Sequence, residues 1–201
     1  MVETLNIGVL TLQGSFAEHI AALSRLGVDV TRVRLPEHLE NIDGLIIPGG
    51  ESTTIGKLAV DFGLLEKLRS FGKTRPVWGT CAGAIFLSKD VHRQQPLLEL
   101  MDITVERNAF GRQIASFETD IDFPALAQVS EREQPFHAIF IRAPLIESVE
   151  KDSQVLATLP DGRIVAARQK HLLATAFHPE LTDDDRVHRY FIHLVEDNHT
   201  G

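Results

Sequence analysis

With 201 residues, 43% of them hydrophobic and 24% charged, the chain has the composition of a globular protein and the length of one generous domain. A single cysteine excludes an internal disulfide framework and any multi-cysteine metal site. The net charge of -8 argues against a general nucleic-acid binder, and no apolar run approaches the ~18 residues of a membrane span. The chain does not open with a basic region followed by an apolar stretch, so a cytoplasmic protein is expected.

The first ninety or so residues alternate strand and helix patterns. Ile7 to Leu12 reads as a short apolar strand. Ser15-Phe16-Ala17-Glu18 has the form of a capping box, opening a helix that turns Phe16, Ile20 and Leu23 to one face and stops at Gly27. Val28, Val30 and Val33 suggest a second strand, and Leu45-Ile46-Ile47 a third that ends at Pro48-Gly49-Gly50. After Asp61, a helix turns Leu64, Leu65, Leu68 and Phe71 inward; Val77-Trp78 is a very short strand before a turn and the helical run Ala84 to Leu87. From residue 101 strands dominate: Met101 to Glu106, Gln113 to Glu118 and Ala138 to Arg142. Gln154 to Leu159 and Arg163 to Arg168 form a hairpin across Pro160-Asp161-Gly162. Leu172 to Phe177 is a last strand, and a final helix starting near Thr182 or Asp183 turns Val187, Tyr190, Phe191 and Leu194 inward. The expectation is one α/β domain over 1–201, with a mixed sheet whose parallel centre is extended by antiparallel strands.

Cys81 stands in Gly79-Thr80-Cys81-Ala82-Gly83, between a buried strand and a helix. That is a nucleophile elbow with sulfur in place of the serine oxygen. Small neighbours permit the sharp turn, the helix start favours the thiolate, and the N–H of Ala82 points where an oxyanion would develop. Such a nucleophile needs a base and an orienting group. His178-Pro179-Glu180 follows a strand, so it falls at the carboxyl end of the sheet beside Cys81. The other eight histidines, including His19 and His188, show no spacing that suggests a ligand set.

Gly49-Gly50-Glu51-Ser52-Thr53-Thr54, followed by Gly56-Lys57, fails the phosphate-loop pattern, because Leu58 stands where a Ser or Thr should bind magnesium. At a strand end beside the elbow, Gly50 would pair its N–H with that of Ala82 in an oxyanion hole, and Glu51 and Ser52 would read a polar substrate. Arg107 to Gln113 and Phe140 to Pro144 supply candidate arginine contacts. Residue chemistry reaches as far as a cysteine hydrolase or transferase of small polar acyl or amide substrates.

These residues together resemble the class I (triad) glutamine amidotransferases, and more narrowly the PdxT family, the glutaminase subunits of pyridoxal 5'-phosphate synthase. The likeness runs from Gly8 to about Val195 through Leu12-Gln13-Gly14, Pro48 to Thr54, Gly79 to Gly83, Arg107 to Gln113, Phe140 to Pro144 and His178 to Thr182. It implies a three-layer α/β/α sandwich of flavodoxin type, with Cys81, His178 and Glu180 as the triad. Gly50, Glu51, Ser52, Arg107, Ile141 and Arg142 match the family's glutamine contacts. It further implies that L-glutamine is hydrolysed to L-glutamate and ammonia without metal or redox cofactor, for a PdxS synthase subunit that docks and activates the glutaminase. A glutaminase serving another biosynthetic synthase, a stand-alone cysteine peptidase or amidase on the same fold, and a non-catalytic binding module that uses Cys81 as a redox sensor are the competing readings.

Overall fold

The computed structural model describes residues 4–107 and 116–200. The elements run β1 (Asn6–Leu10), α1 (Phe16–Arg25), β2 (Asp29–Val33), β3 (Gly44–Ile47), α2 (Ser52–Asp61), α3 (Leu65–Gly72), β4 (Val77–Thr80) and α4 (Ala82–Leu87). They continue with β5 (Ser88–Asp90), β6 (Met101–Glu106), β7 (Ser116–Ile121), β8 (Phe136–Ile141), β9 (Leu145–Val149), β10 (Ser153–Thr158), β11 (Ile164–Gln169), β12 (Leu172–Thr175) and α5 (Arg186–Thr200).

The centre of the main sheet is the parallel set β2-β1-β3-β4-β12, the strand order of flavodoxin-type folds. Beyond β12 the sheet continues through the antiparallel strands β11, β9 and β6, with β10 hydrogen-bonded to β11 and β5 parallel to β6 at the edge. β7 and β8 form a separate antiparallel ribbon rather than joining that extension.

Strand periodicity builds the layers. Along β3, Leu45 and Ile47 enter one apolar core and Ile46 the other; along β12, Leu172 and Ala174 part from Leu173 in the same way. One core joins α2, α3 and α4 through Ile55, Leu68 and Phe86; the opposite core joins α1 and α5 through Leu23, Phe191 and Leu194. Both faces of the parallel strands are therefore covered, as continuous apolar strands require. No helix among the described residues is long and apolar enough to cross a membrane.

Other expectations also need correction. The Gly49-to-Thr54 stretch is a turn only as far as Glu51; from Ser52 it is the first part of α2, a ten-residue helix whose buried face, Ser52, Ile55, Gly56 and Ala59, carries little apolar signal. β5 and β9 are strands for which the sequence gives no expectation, and α5 starts at Arg186 rather than near Thr182 or Asp183. The Ser15 hydroxyl makes no capping bond to α1, because it is committed elsewhere.

Candidate active site

The carboxyl ends of β3, β4 and β12 lie side by side, so the loops following them share one crevice. β4 and β12 pair in register, Thr80 beside Thr175, and the Cys81 N–H donates to the Thr175 carbonyl at 2.8 Å. Cys81 and His178, distant in sequence, thus leave adjacent strands at the same level.

Cys81 occupies a left-handed, strained backbone conformation (φ 49°, ψ -106°), as a side chain presented at the tip of an elbow requires. A Cβ at Gly83 would collide with the Ile47 carbonyl, so the turn closes only with glycine there. The first intrahelical bond of α4 runs from the Ile85 N–H to the Cys81 carbonyl. The N–H of Ala82, first residue of that helix, therefore has no acceptor within it. The Cys81 thiol lies 3.8 Å from the Ile141 carbonyl, and only 6% of the residue is exposed.

His178 Nδ1 meets Glu180 Oε1 at 2.8 Å, and both residues are buried. Burial opposes a charge on His178, but interactions with Cys81 and with Glu180 override it and raise the imidazolium to about 10. Burial likewise opposes ionisation of Glu180. The field of His19, the bond to His178 and the Ser15 hydroxyl, which donates to Oε1 at 2.7 Å, bring the carboxyl down to about 2. Gly49 separates the partners: a Cβ placed on it would touch both His178 Nδ1, at 3.2 Å, and Cys81 Cβ, at 3.3 Å.

Beside this triad, the backbone N–H of Glu51 donates to Gln13 Oε1 at 2.8 Å, which pins the Gly50–Glu51 turn. The Glu51 carboxylate caps α2 by accepting from the Thr54 N–H and also accepts from the Thr53 hydroxyl. Its other oxygen receives Arg107 Nη2 at 2.6 Å. Arg107 Nη1 donates to Gln95 Oε1 at 3.1 Å, and Gln95 Nε2 reaches the buried Ser52 hydroxyl at 3.3 Å. The bonds made by Thr53, Thr54 and Arg107 hold the Glu51 carboxyl below the usual range, although burial opposes them. Ile141 and Arg142 are exposed at the end of β8, Arg142 in a left-handed backbone conformation (φ 45°). Of the Arg107-to-Gln113 stretch, residues 108–113 lie outside the described residues.

The structure thus brings Cys81, His178 and Glu180 together next to Gly49, and links Glu51, Ser52 and Arg107 to one another through Gln95 just beyond Gly50, with the Ile141 carbonyl near the sulfur. Sequence reasoning missed Ser15, His19, His188 and Gln95. Ser15 precedes α1 and His19 lies four residues on; the available signal is that His19 falls three residues after Phe16 and four before Leu23, on the apolar face of that helix. Gln95, in the irregular segment before β6, left no signal.

A family model described as the SNO glutamine amidotransferase family matches residues 9–197. The chain is 56% identical to the pyridoxal 5'-phosphate synthase subunit PdxT of Herpetosiphon aurantiacus, covering 94% of this chain and all of the relative. It is 54% identical to the subunit of the same name from Moorella thermoacetica, covering 95% and all of it. A crystal structure described as a glutamine amidotransferase superposes with a TM-score of 0.87 at 47% identity, covering 94% of this chain and 98% of the other. A putative GMP synthase subunit from Thermoplasma acidophilum, at 19% identity and a TM-score of 0.71, shares the fold. The chain belongs to the SNO glutamine amidotransferase family.

Proposed function

We propose that this chain is the glutaminase subunit of a pyridoxal 5'-phosphate synthase, hydrolysing L-glutamine to L-glutamate and ammonia through Cys81, His178 and Glu180. The observation that supports it most directly is the thiol of Cys81, carried on a strained backbone turn, beside an imidazole that Glu180 holds at 2.8 Å, on a chain whose relatives carry the PdxT name.

The Cys81 thiolate attacks the side-chain amide carbon of glutamine, and the carbonyl π electrons move onto oxygen. The N–H groups of Ala82 and Gly50 receive that oxyanion, each such donor contributing about 2.7–4 kcal/mol to barrier lowering. Charged His178 protonates the departing nitrogen, the C–N bond breaks, and ammonia leaves a thioester on Cys81. Neutral His178 then takes a proton from water as hydroxide adds to the thioester carbon. Collapse of that second tetrahedral intermediate releases glutamate and restores the thiolate–imidazolium pair. Glu180 keeps the ring oriented throughout, and acid–base assistance of this kind contributes roughly 10²–10⁴-fold. The Glu51–Arg107 pair offers an anion and a cation to the amino and carboxylate groups of the substrate, with Ser52, Ile141 and Arg142 around it.

Ammonia is a nucleophile only when unprotonated, so its release suits a sealed passage into a synthase subunit, here of the PdxS type, that supplies the acceptor. Ammonia release from glutamine, measured with and without such a synthase, tests the reading. Stimulation by it is expected, and Cys81→Ala and His178→Asn should each abolish release. Stimulation only by a different synthase would redirect the assignment, and turnover by either variant would end it.

A further inference from the structure

Behind the triad, on the side away from the crevice, lies a second buried polar group that glutamine hydrolysis as written does not use. His19 of α1 and His188 of α5 are 0% and 1% exposed and meet Nδ1 to Nε2 at 3.0 Å. His19 Nε2 faces two oxygens: Thr80 Oγ1 at 3.2 Å, on the strand that ends at Cys81, and Glu180 Oε2 at 3.4 Å. The edges of both rings pack on Trp78. Glu180 thus has one oxygen engaged by His178 and Ser15, and its other oxygen, buried and without a hydrogen-bond partner of good geometry, looks towards His19.

The proton positions in this group follow from what each nitrogen meets. A single proton lies between His19 and His188. If it sits on His19 Nδ1, a neutral His19 turns a bare Nε2 lone pair towards the Glu180 carboxylate, and a neutral His188 buries an N–H at Nδ1, which has no partner among the described residues. A buried donor without an acceptor beside a repelling lone pair is the costlier arrangement. If it sits on His188 Nε2 instead, His19 Nδ1 accepts, His19 Nε2 bears the hydrogen, and that N–H turns its positive end to both Thr80 Oγ1 and Glu180 Oε2. Burial disfavours a charge on both rings: it lowers His19 and takes His188 down to about 3, despite the attraction of Glu180 for each. The other charged groups facing the pair are His178 and Glu18 at His19, and Arg25 and Asp185 at His188.

We propose that His19 is a positioning residue of the glutaminase: His188 selects its Nε2–H tautomer, and that N–H steadies the far oxygen of Glu180, keeping the carboxylate ionised and aimed at His178 Nδ1. His19 touches neither substrate nor sulfur, so it acts only through Glu180. Second partners of this kind, which fix the orientation of a group that itself orients the reacting residue, govern tautomer and basicity in buried sites. The inference rests on the Cys81–His178–Glu180 reading, and inactivity of Cys81→Ala tests that reading separately.

Two measurements decide it. Nitrogen-15 NMR of the histidine-labelled, otherwise unaltered protein near neutral pH should show His19 and His188 neutral with the proton on Nε2 in each. A proton on His19 Nδ1, or a charged His19, overturns the proposal whatever the variants do. In the complex with the synthase, His19→Leu should lower kcat about tenfold or more with KM for glutamine little changed, the pattern expected when an interaction that acts on the triad rather than on substrate binding is lost. The acidic limb of its kcat profile should move to higher pH, because the carboxylate loses support for its charge. His19→Gln, which returns an N–H near the Nε2 position, should recover most of kcat and the original limb. A His19→Leu protein with native kcat and limb overturns the proposal, as does a His19→Gln protein no better than His19→Leu.

Discussion

Gly49 offers the sharpest test of how tightly the triad is packed. A Cβ added there would lie 2.5 Å from Cε1 of His178, 3.2 Å from its Nδ1 and 3.3 Å from Cys81 Cβ. The backbone of Gly49 is outside the left-handed region, so alanine meets no conformational objection and the perturbation is the clash with the ring together with a tight contact to Cys81 Cβ. Non-bonded carbons rest about 3.5–4.0 Å apart, so the imidazole must retreat by about 1 Å. Retreat takes it from Cys81 and strains its bond to Glu180. A displacement of about 1 Å from a reacting geometry costs on the order of 100-fold in rate, and crowding a packed site costs roughly 1–3 kcal/mol of stability. Gly49→Ala, assayed for ammonia release in the complex with the synthase, should therefore lose kcat on that scale while KM for glutamine changes little. A thermal melt on the same sample separates this from unfolding. A folded Gly49→Ala protein with native kcat would refute the claim that this glycine is what lets the base approach the sulfur.

Three further outcomes follow from the geometry. Ser15→Ala removes a hydroxyl from Glu180, not a cap from α1, so far-UV circular dichroism should stay constant while kcat falls roughly tenfold or more, as for losing a hydrogen bond to a charged group; lost helicity with intact activity would reverse the assignment. Glu180→Gln removes an interaction that raises His178, so the imidazolium should lose its proton below its native value of about 10. The basic limb of the rate profile should move down with it, and an unmoved limb would count against the pair. His188 has a folded pKa of about 3 against an ordinary 6.5, so the unfolded chain binds the extra proton first. Its contribution to stability is complete above 6.5 and is lost as pH falls towards 3, by about 2 kcal/mol at pH 5. Urea unfolding of the native protein and of His188→Gln at the two ends of that range should show the difference shrinking in the variant.

Local patterns were legible wherever a constraint acts over a few residues. The elbow around Cys81 needs small neighbours to turn at all, so Gly79 to Gly83 shows in any reading of the chain, and the elbow's strained φ is there in the structure. The parallel strands, buried on both faces, read as short apolar runs, and the hairpin of β10 and β11 announced itself by Pro160-Asp161-Gly162. α2 is hard to read from the sequence because its buried face mixes Ile55 and Ala59 with Ser52 and Gly56 and its cap is the carboxylate of Glu51. The Ser15 pattern misled for a different reason: a hydroxyl that caps a helix in isolation takes a stronger, charged acceptor when the fold brings one within 2.7 Å.

The candidate nucleophile, the candidate base and the α/β class were thus written into short stretches of chain, because backbone sterics and side-chain period act between near neighbours. That Ser15, His19 and His188 surround Glu180 was settled only when α1 and α5 packed against the same face of the sheet. Burial there removes water as a competing partner, so each polar atom must find its match among whatever side chains the packing delivers. No spacing along the chain encodes that choice.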